Sequence, residues 1–147
     1  MSLPSMETGR VVGGLHVSDE LTAQQCWQLL RSGATGRFGF VRDGRIVILP
    51  VNYVVDGECV YFRTADDGSI SEAVPASESS FQVDHSRTDR SEGWSVLVSG
   101  PASRVEDPKL LTRLWGKSMA EPWAGGARNL FIQIAARDVT GRHVHLE

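Results

Sequence analysis

Apolar residues in this chain alternate with polar ones far more often than they recur at helical spacing. Between Arg37 and Thr64 the alternation is broken by two Asp-Gly pairs, Asp43-Gly44 and Asp56-Gly57. Asp-Gly between alternating hydrophobics is a strong hairpin signal, so the stretch predicts three strands: Arg37 to Arg42, Arg45 to Val55 and Glu58 to Thr64. In the middle strand Val47, Leu49 and Val51 share one face and Ile46, Ile48 and Pro50 the other. A strand apolar on both faces is expected to be covered on both, as in a closed barrel or beneath a partner subunit.

Helical spacing appears three times. Thr22-x-x-Gln25 is a capping box, opening a helix whose apolar stripe is Cys26, Leu29 and Leu30 and whose stop is Gly33. Ser69-x-x-Glu72 predicts a second capping box and a short helix to about Val74. Asp107-Pro108 places a cap before a first-turn proline, ahead of Leu110, Leu111, Leu114 and Trp115. Further strands are expected over Ser79 to Asp84, Trp94 to Val105, Leu130 to Ala135 and Asp138 to Leu146. His85 to Gly93 reads as a polar, mobile loop, and Met119 to Ala127 as irregular. Hairpin-linked strands with a few short helices predict a mainly β fold, a small antiparallel barrel. Met1 to Arg10 reads as a flexible N-terminus, with Met1-Ser2-Leu3 resembling a vector-derived remnant, and residues 11–147 as one domain.

Composition narrows the function. The 147 residues are 41% hydrophobic and 22% charged, with a net charge of -3. That is a globular balance without the basic face of a nucleic-acid binder. No apolar run is long enough to span a membrane and no export signal core opens the chain, so a cytoplasmic protein is expected. Cys26 and Cys59 are the only cysteines. Both sit among apolar neighbours and are expected to be reduced, buried thiols.

Candidate chemistry concentrates in Ile46 to Thr64 and just beyond. Pro50-Val51-Asn52 interrupts a strand with residues that free backbone groups, as a planar ligand would require; an edge bulge is the alternative. Arg63 and Thr64 leave the next strand toward Gly68, Ser69 and the predicted helix start, so cation, hydroxyls and amides could together hold a phosphate. A surface arginine with an ordinary capping serine is the alternative. Trp94 and Trp123 are large aromatics in polar surroundings, suited to packing or to stacking on a ligand. His143 and His145 alternate on one strand face, but the sequence offers no third ligand beside them, and no metal site is expected. No phosphate-loop, nucleophile-elbow or zinc-protease motif occurs.

In CWQLLRSGATGRFGFV, ILPVNYVVDGECVYFRTADDGS, FQVDHS, GWSVLVSGPASRV, EPWAGGARNLFIQI and VTGRHV, the chain resembles the pyridoxamine 5′-phosphate oxidase-like, FMN-binding split-barrel superfamily, in its small actinobacterial-type branch. The resemblance implies a six-stranded antiparallel split β-barrel and a homodimer with flavin at the subunit interface. It further implies that Ile48, Leu49, Pro50, Val51 and Asn52 line the isoalloxazine, and that Arg63, Thr64, Gly68, Ser69 and the residue after it, here Ile70, face the FMN phosphate. Trp94 and Trp123 would lie near the flavin or substrate, one or both from the partner subunit. Two departures stand out. Ile70 occupies a position that usually carries lysine, with Arg128 and Arg142 as the candidates to replace its charge. The Arg- and Ser-rich C-terminal signature of authentic vitamin B6 oxidases is absent. The expected function is an FMN-dependent oxidoreductase acting on an unidentified small molecule, its catalytic residues unassigned. The alternatives are an F420-dependent reductase of the same fold and a non-catalytic flavin- or ligand-binding protein with a weakened cofactor site.

Overall fold

The computed structural model describes residues 15–117 and 129–146. Its strands are β1 (His16–Glu20), β2 (Thr35–Arg42), β3 (Arg45–Asp56), β4 (Cys59–Thr64), β5 (Ala76–Arg87), β6 (Glu92–Arg104), β7 (Leu130–Ala135) and β8 (Asp138–Leu146). Helices α1 (Ala23–Ser32), α2 (Ser69–Ala73) and α3 (Pro108–Lys117) fill the connections. All strand pairings are antiparallel, and β6-β5-β2-β3-β4-β7 closes on itself through β6–β7. The result is the expected six-stranded barrel. Along the edge opposite β5, strand β6 serves two partners: residues 93–99 pair with β8 and residues 102–104 with β7. That change of partner splits the barrel, and β8 with β1 forms a two-stranded flap beside it.

The core follows from alternation. Phe38, Phe62, Phe81, Val60, Val96, Val98, Ile132 and Ile134 are buried inside the ring, with Cys26, Trp27 and Leu30 of α1 capping one opening. Phe38 lies at the centre, its ring 5.1 Å from Phe40 and 4.9 Å from Phe62. Tyr53 is buried too, donating its hydroxyl to the Leu30 carbonyl at 2.5 Å, and burial pushes its pKa up to about 12. A smaller cluster of Tyr61, Val105, Leu114 and Phe131 forms under α3.

Helix α1 has the expected capping box, Gln25 N to Thr22 Oγ1 at 3.1 Å and Thr22 N to Gln25 Oε1 at 2.8 Å, and it ends on Gly33. The capping box expected at Ser69 does not form. Gly68 is the cap residue, and Glu72 pairs with Arg42 at 2.6 Å instead of reaching back. The first hairpin turn has positive φ at both Asp43 and Gly44, as a type I′ turn requires. In the second, Asp56 pairs with Cys59, so the loop is Gly57-Glu58 and not Asp56-Gly57. The expected loop over His85 to Gly93 is mostly strand. Polar side chains there face outward while the backbone pairs out to Arg87 and Glu92, leaving only Thr88–Arg90 as a short helical turn. Strand β1 has no counterpart in the sequence reading. Cys26 is buried, its thiol pKa raised by that burial, and Cys59 is half-buried; both are free.

Asp56 ties α3 to the barrel, with Arg113 Nε at 2.7 Å and Lys117 Nζ at 3.6 Å. The Arg113 hydrogen bond holds its carboxyl below the usual value. A depressed folded-state pKa stabilises the fold above the unfolded-state value, and that contribution is lost as pH falls through the folded value. Asp56→Asn should therefore cost stability at neutral pH and progressively less below about pH 4. Urea midpoints across that range check this; a constant difference would contradict it.

Candidate functional site

Strands β3 and β4 pair only from Tyr53–Phe62 to Asp56–Cys59. Continuing the register would set Asn52 against Arg63 and Val51 against Thr64, but the two strands part there. Residues 45–52 of β3 pair with β2 alone, and Arg63 and Thr64 of β4 pair with β7 alone. Among the described residues, the facing edges of Ile48–Asn52 and of Arg63–Thr64 thus bound a gap. In an antiparallel strand paired on one side, alternate residues turn N–H and C=O toward the open edge. This is what the Pro50-Val51-Asn52 interruption looked like in sequence. Leu49 and Val51 turn inward, whereas Ile48 and Pro50 face out, Ile48 being 63% exposed. Asn52 is held by Thr35, whose hydroxyl lies 3.0 Å from its side-chain oxygen.

Arg63 and Thr64, adjacent in a strand, point to opposite faces. Thr64 is buried on the side of Phe62 and Val60. Arg63 is half-buried under α3, its guanidinium 4.8 Å from the Trp115 ring centroid. Stacking on an aromatic face occupies the plane of a guanidinium and leaves its N–H edge able to donate. Among the described residues no carboxylate pairs with Arg63. Trp115 is itself fixed edge-on against Phe131, with 5.1 Å between ring centroids. The sequence marked Trp115 only as part of a helix stripe; its role needs the packing of α3 on β4 and β7.

The chain then turns at Gly68, where among the described residues only the Ala65 carbonyl, 4.0 Å from a would-be Cβ, stands close. Arg42 and Arg104 clamp the short α2 that follows. Arg104 donates to the Ser71 carbonyl at 3.0 Å, and Arg42 grips Glu72. At one and a half turns, α2 carries little helix dipole. The Ile70 side chain is buried in the core.

The candidates do not all meet. Ile48–Asn52, Arg63, Thr64, Gly68 and Ser69 share one region. Trp94 lies near the far end of β6, ten residues from Arg104, up to about 33 Å along an extended strand. It sits between His85 and His143 in the ladder, packed against the core. Arg142 is likewise remote, on the β8 flap beside Ser18. Trp123 and Arg128 lie outside the described residues. Taken together, the gap offers backbone donors and acceptors along one wall and an arginine beside the end where the two strands part, which suits a flat heterocycle carrying an anionic group.

The model for the pyridoxamine 5′-phosphate oxidase family matches residues 22–143, which takes in the whole barrel and the gap. The chain belongs to that family. Among its relatives, a Mycobacterium tuberculosis protein of uncharacterised function, Rv0080, is 34% identical over 128 residues, covering 83% of this chain and 82% of its own. A Mycobacterium smegmatis structure described as an FAD binding protein is 28% identical, with a TM-score of 0.68 over 86% of this chain and 98% of that one. A Corynebacterium diphtheriae structure of unknown function is 31% identical, with a TM-score of 0.67 over 85% and 96%. Family members with this barrel therefore include one that is described by its flavin.

Proposed function

We propose that this family member is a flavin-dependent oxidoreductase that binds FMN in the gap between β3 and β4 and acts on a small molecule. The observation that carries the reading is the coincidence of a β3 edge, Ile48–Val51, that pairs with β2 and not with β4, with a stacked arginine that no described carboxylate neutralises. Backbone groups of that edge would contact the ring, and Arg63 with the Gly68-Ser69 turn would hold the phosphate. A bound flavin supplies the hydride or electron transfer, which fits a site without an acid–base pair. The residues then bind, orient and shield it.

A homodimer belongs to the same reading. Val41, Ile46 and Ile48 are 60%, 77% and 63% exposed, and the register sets them side by side on the outer face of β2 and β3. An apolar patch of that kind marks an interaction surface. A second copy laid on it would cover Ile48, at the wall of the gap, and could bring its own distant Trp94 to the site. In this arrangement the flavin lies between subunits.

Titrating the purified, flavin-stripped protein with FMN, FAD and F420 separately tests the cofactor. One FMN per chain, bound more tightly than the other two, is expected. Preference for FAD would keep the flavin reading and change the nucleotide. Binding of F420 alone, or of none, would overturn it.

A further inference from the structure

The sequence left His143 and His145 without a third ligand, and the β1–β8 pairing supplies one. Asp19 stands directly opposite His143 in the ladder, and His145 is two residues along on the same face. Their ligand atoms all lie within 4.8 Å of one another. His145 Nε2 is 2.8 Å from Asp19 Oδ2, and the two imidazoles stack with centroids 4.9 Å apart. From the next strand, Glu92 brings Oε2 to 3.5 Å from His143 Nε2. These four side chains belong to three strands and have no part in the flavin gap.

We propose that Asp19, His143 and His145 bind a divalent transition-metal ion of the zinc type, with Glu92 in reach as a fourth ligand. Three features point to the class of ion. Two imidazoles with one or two carboxylates are the donor set of zinc and its neighbours, whereas calcium and magnesium take oxygen ligands almost exclusively. Ligand atoms around a tetrahedral ion bound at about 2.0–2.1 Å are roughly 3.3 Å apart, so the cluster needs only modest closure. Asp19 and Glu92 are carboxylic side chains that flank the two imidazoles, and a divalent cation would balance their charge. Ligation would staple β1 to β8 and to the start of β6, adding a tie to a flap that β6 and α1 already hold. With Glu92 bound the site is closed and structural; with water in that place it keeps one open position.

The test uses the untagged, full-length chain freed of metal by chelator. Zinc titrated by calorimetry should bind once per chain and raise the thermal midpoint. Asp19→Asn and His143→Gln should each weaken binding by at least the roughly 10–100-fold that even outer-shell partners of a metal cost, while the metal-free circular dichroism stays unchanged. Should a variant fail to fold, the imidazole nitrogen resonances of the wild-type chain decide the matter. Zinc-dependent shifts at His143 and His145 support the site. No saturable binding, binding that both folded variants retain, or zinc shifts confined to other residues would overturn it and leave a surface hydrogen-bonded cluster only.

Discussion

Gly100→Ala is expected to destabilise the protein by about 3 kcal/mol or more, at the upper end of overpacking costs. Gly100 sits where β6 leaves β8 for β7, and a Cβ there would lie 1.9 Å from the Ala135 carbonyl oxygen and 3.0 Å from Arg137 N. Both obstacles are backbone, so no side chain can swing aside. The same crossing is held by Ser79 Oγ donating to the Gly100 carbonyl at 2.8 Å and by Arg137 N donating to Ser99 O at 2.8 Å. Relief therefore means pulling β7 off β6, which is the contact that closes the barrel. At roughly 2–4 °C per kcal/mol for a chain near this size, the thermal midpoint should fall by about 10 °C. Gly116→Ala is the comparison, since among the described residues nothing lies within 4 Å of a Cβ at that position in α3. It should be neutral or stabilising by up to about 1 kcal/mol. Equal midpoints for the two variants would show that β6 and β7 are not so closely apposed.

Phe38→Ala should cost about 3–5 kcal/mol, the usual range for deleting a buried aromatic ring. Phe38 is fully buried, faces Phe81 and Leu49 across the two adjoining ladders, and stacks near Phe40 and Phe62. Strands from three sides would lose contacts at once, and a closed barrel collapses poorly around a void. Urea unfolding measures the loss, and a cost below about 1 kcal/mol would place the core elsewhere.

Much of the barrel could be read from residues alone, because alternation and turn chemistry are local. The two hairpins from Arg37 to Thr64 and the β7 and β8 bounds all appear at or near their expected positions. What could not be read depends on long-range pairing. Strand β1 is five residues of weak pattern and exists because β8 offers it an edge. The Ser69 capping box yields to Arg42, twenty-seven residues earlier, which claims Glu72. The candidate site shows the same division. Pro50-Val51-Asn52 and Arg63 announce themselves in sequence, whereas the parting of β3 from β4 and the Trp115 stack do not. Arg63 and Thr64 read as one cradle from their adjacency, yet strand geometry turns them apart. Ile70 read as a missing cation, and its burial shows a core residue in that place.

The central claim is that flavin binds in the β3–β4 gap with its phosphate on Arg63. The most direct measurement is the FMN dissociation constant of the wild-type protein beside that of Arg63→Ala. A charge-assisted hydrogen bond is worth about 1.5–3 kcal/mol, so the variant should bind about ten- to a hundredfold more weakly. A variant that holds FMN as tightly as the wild type would contradict the account.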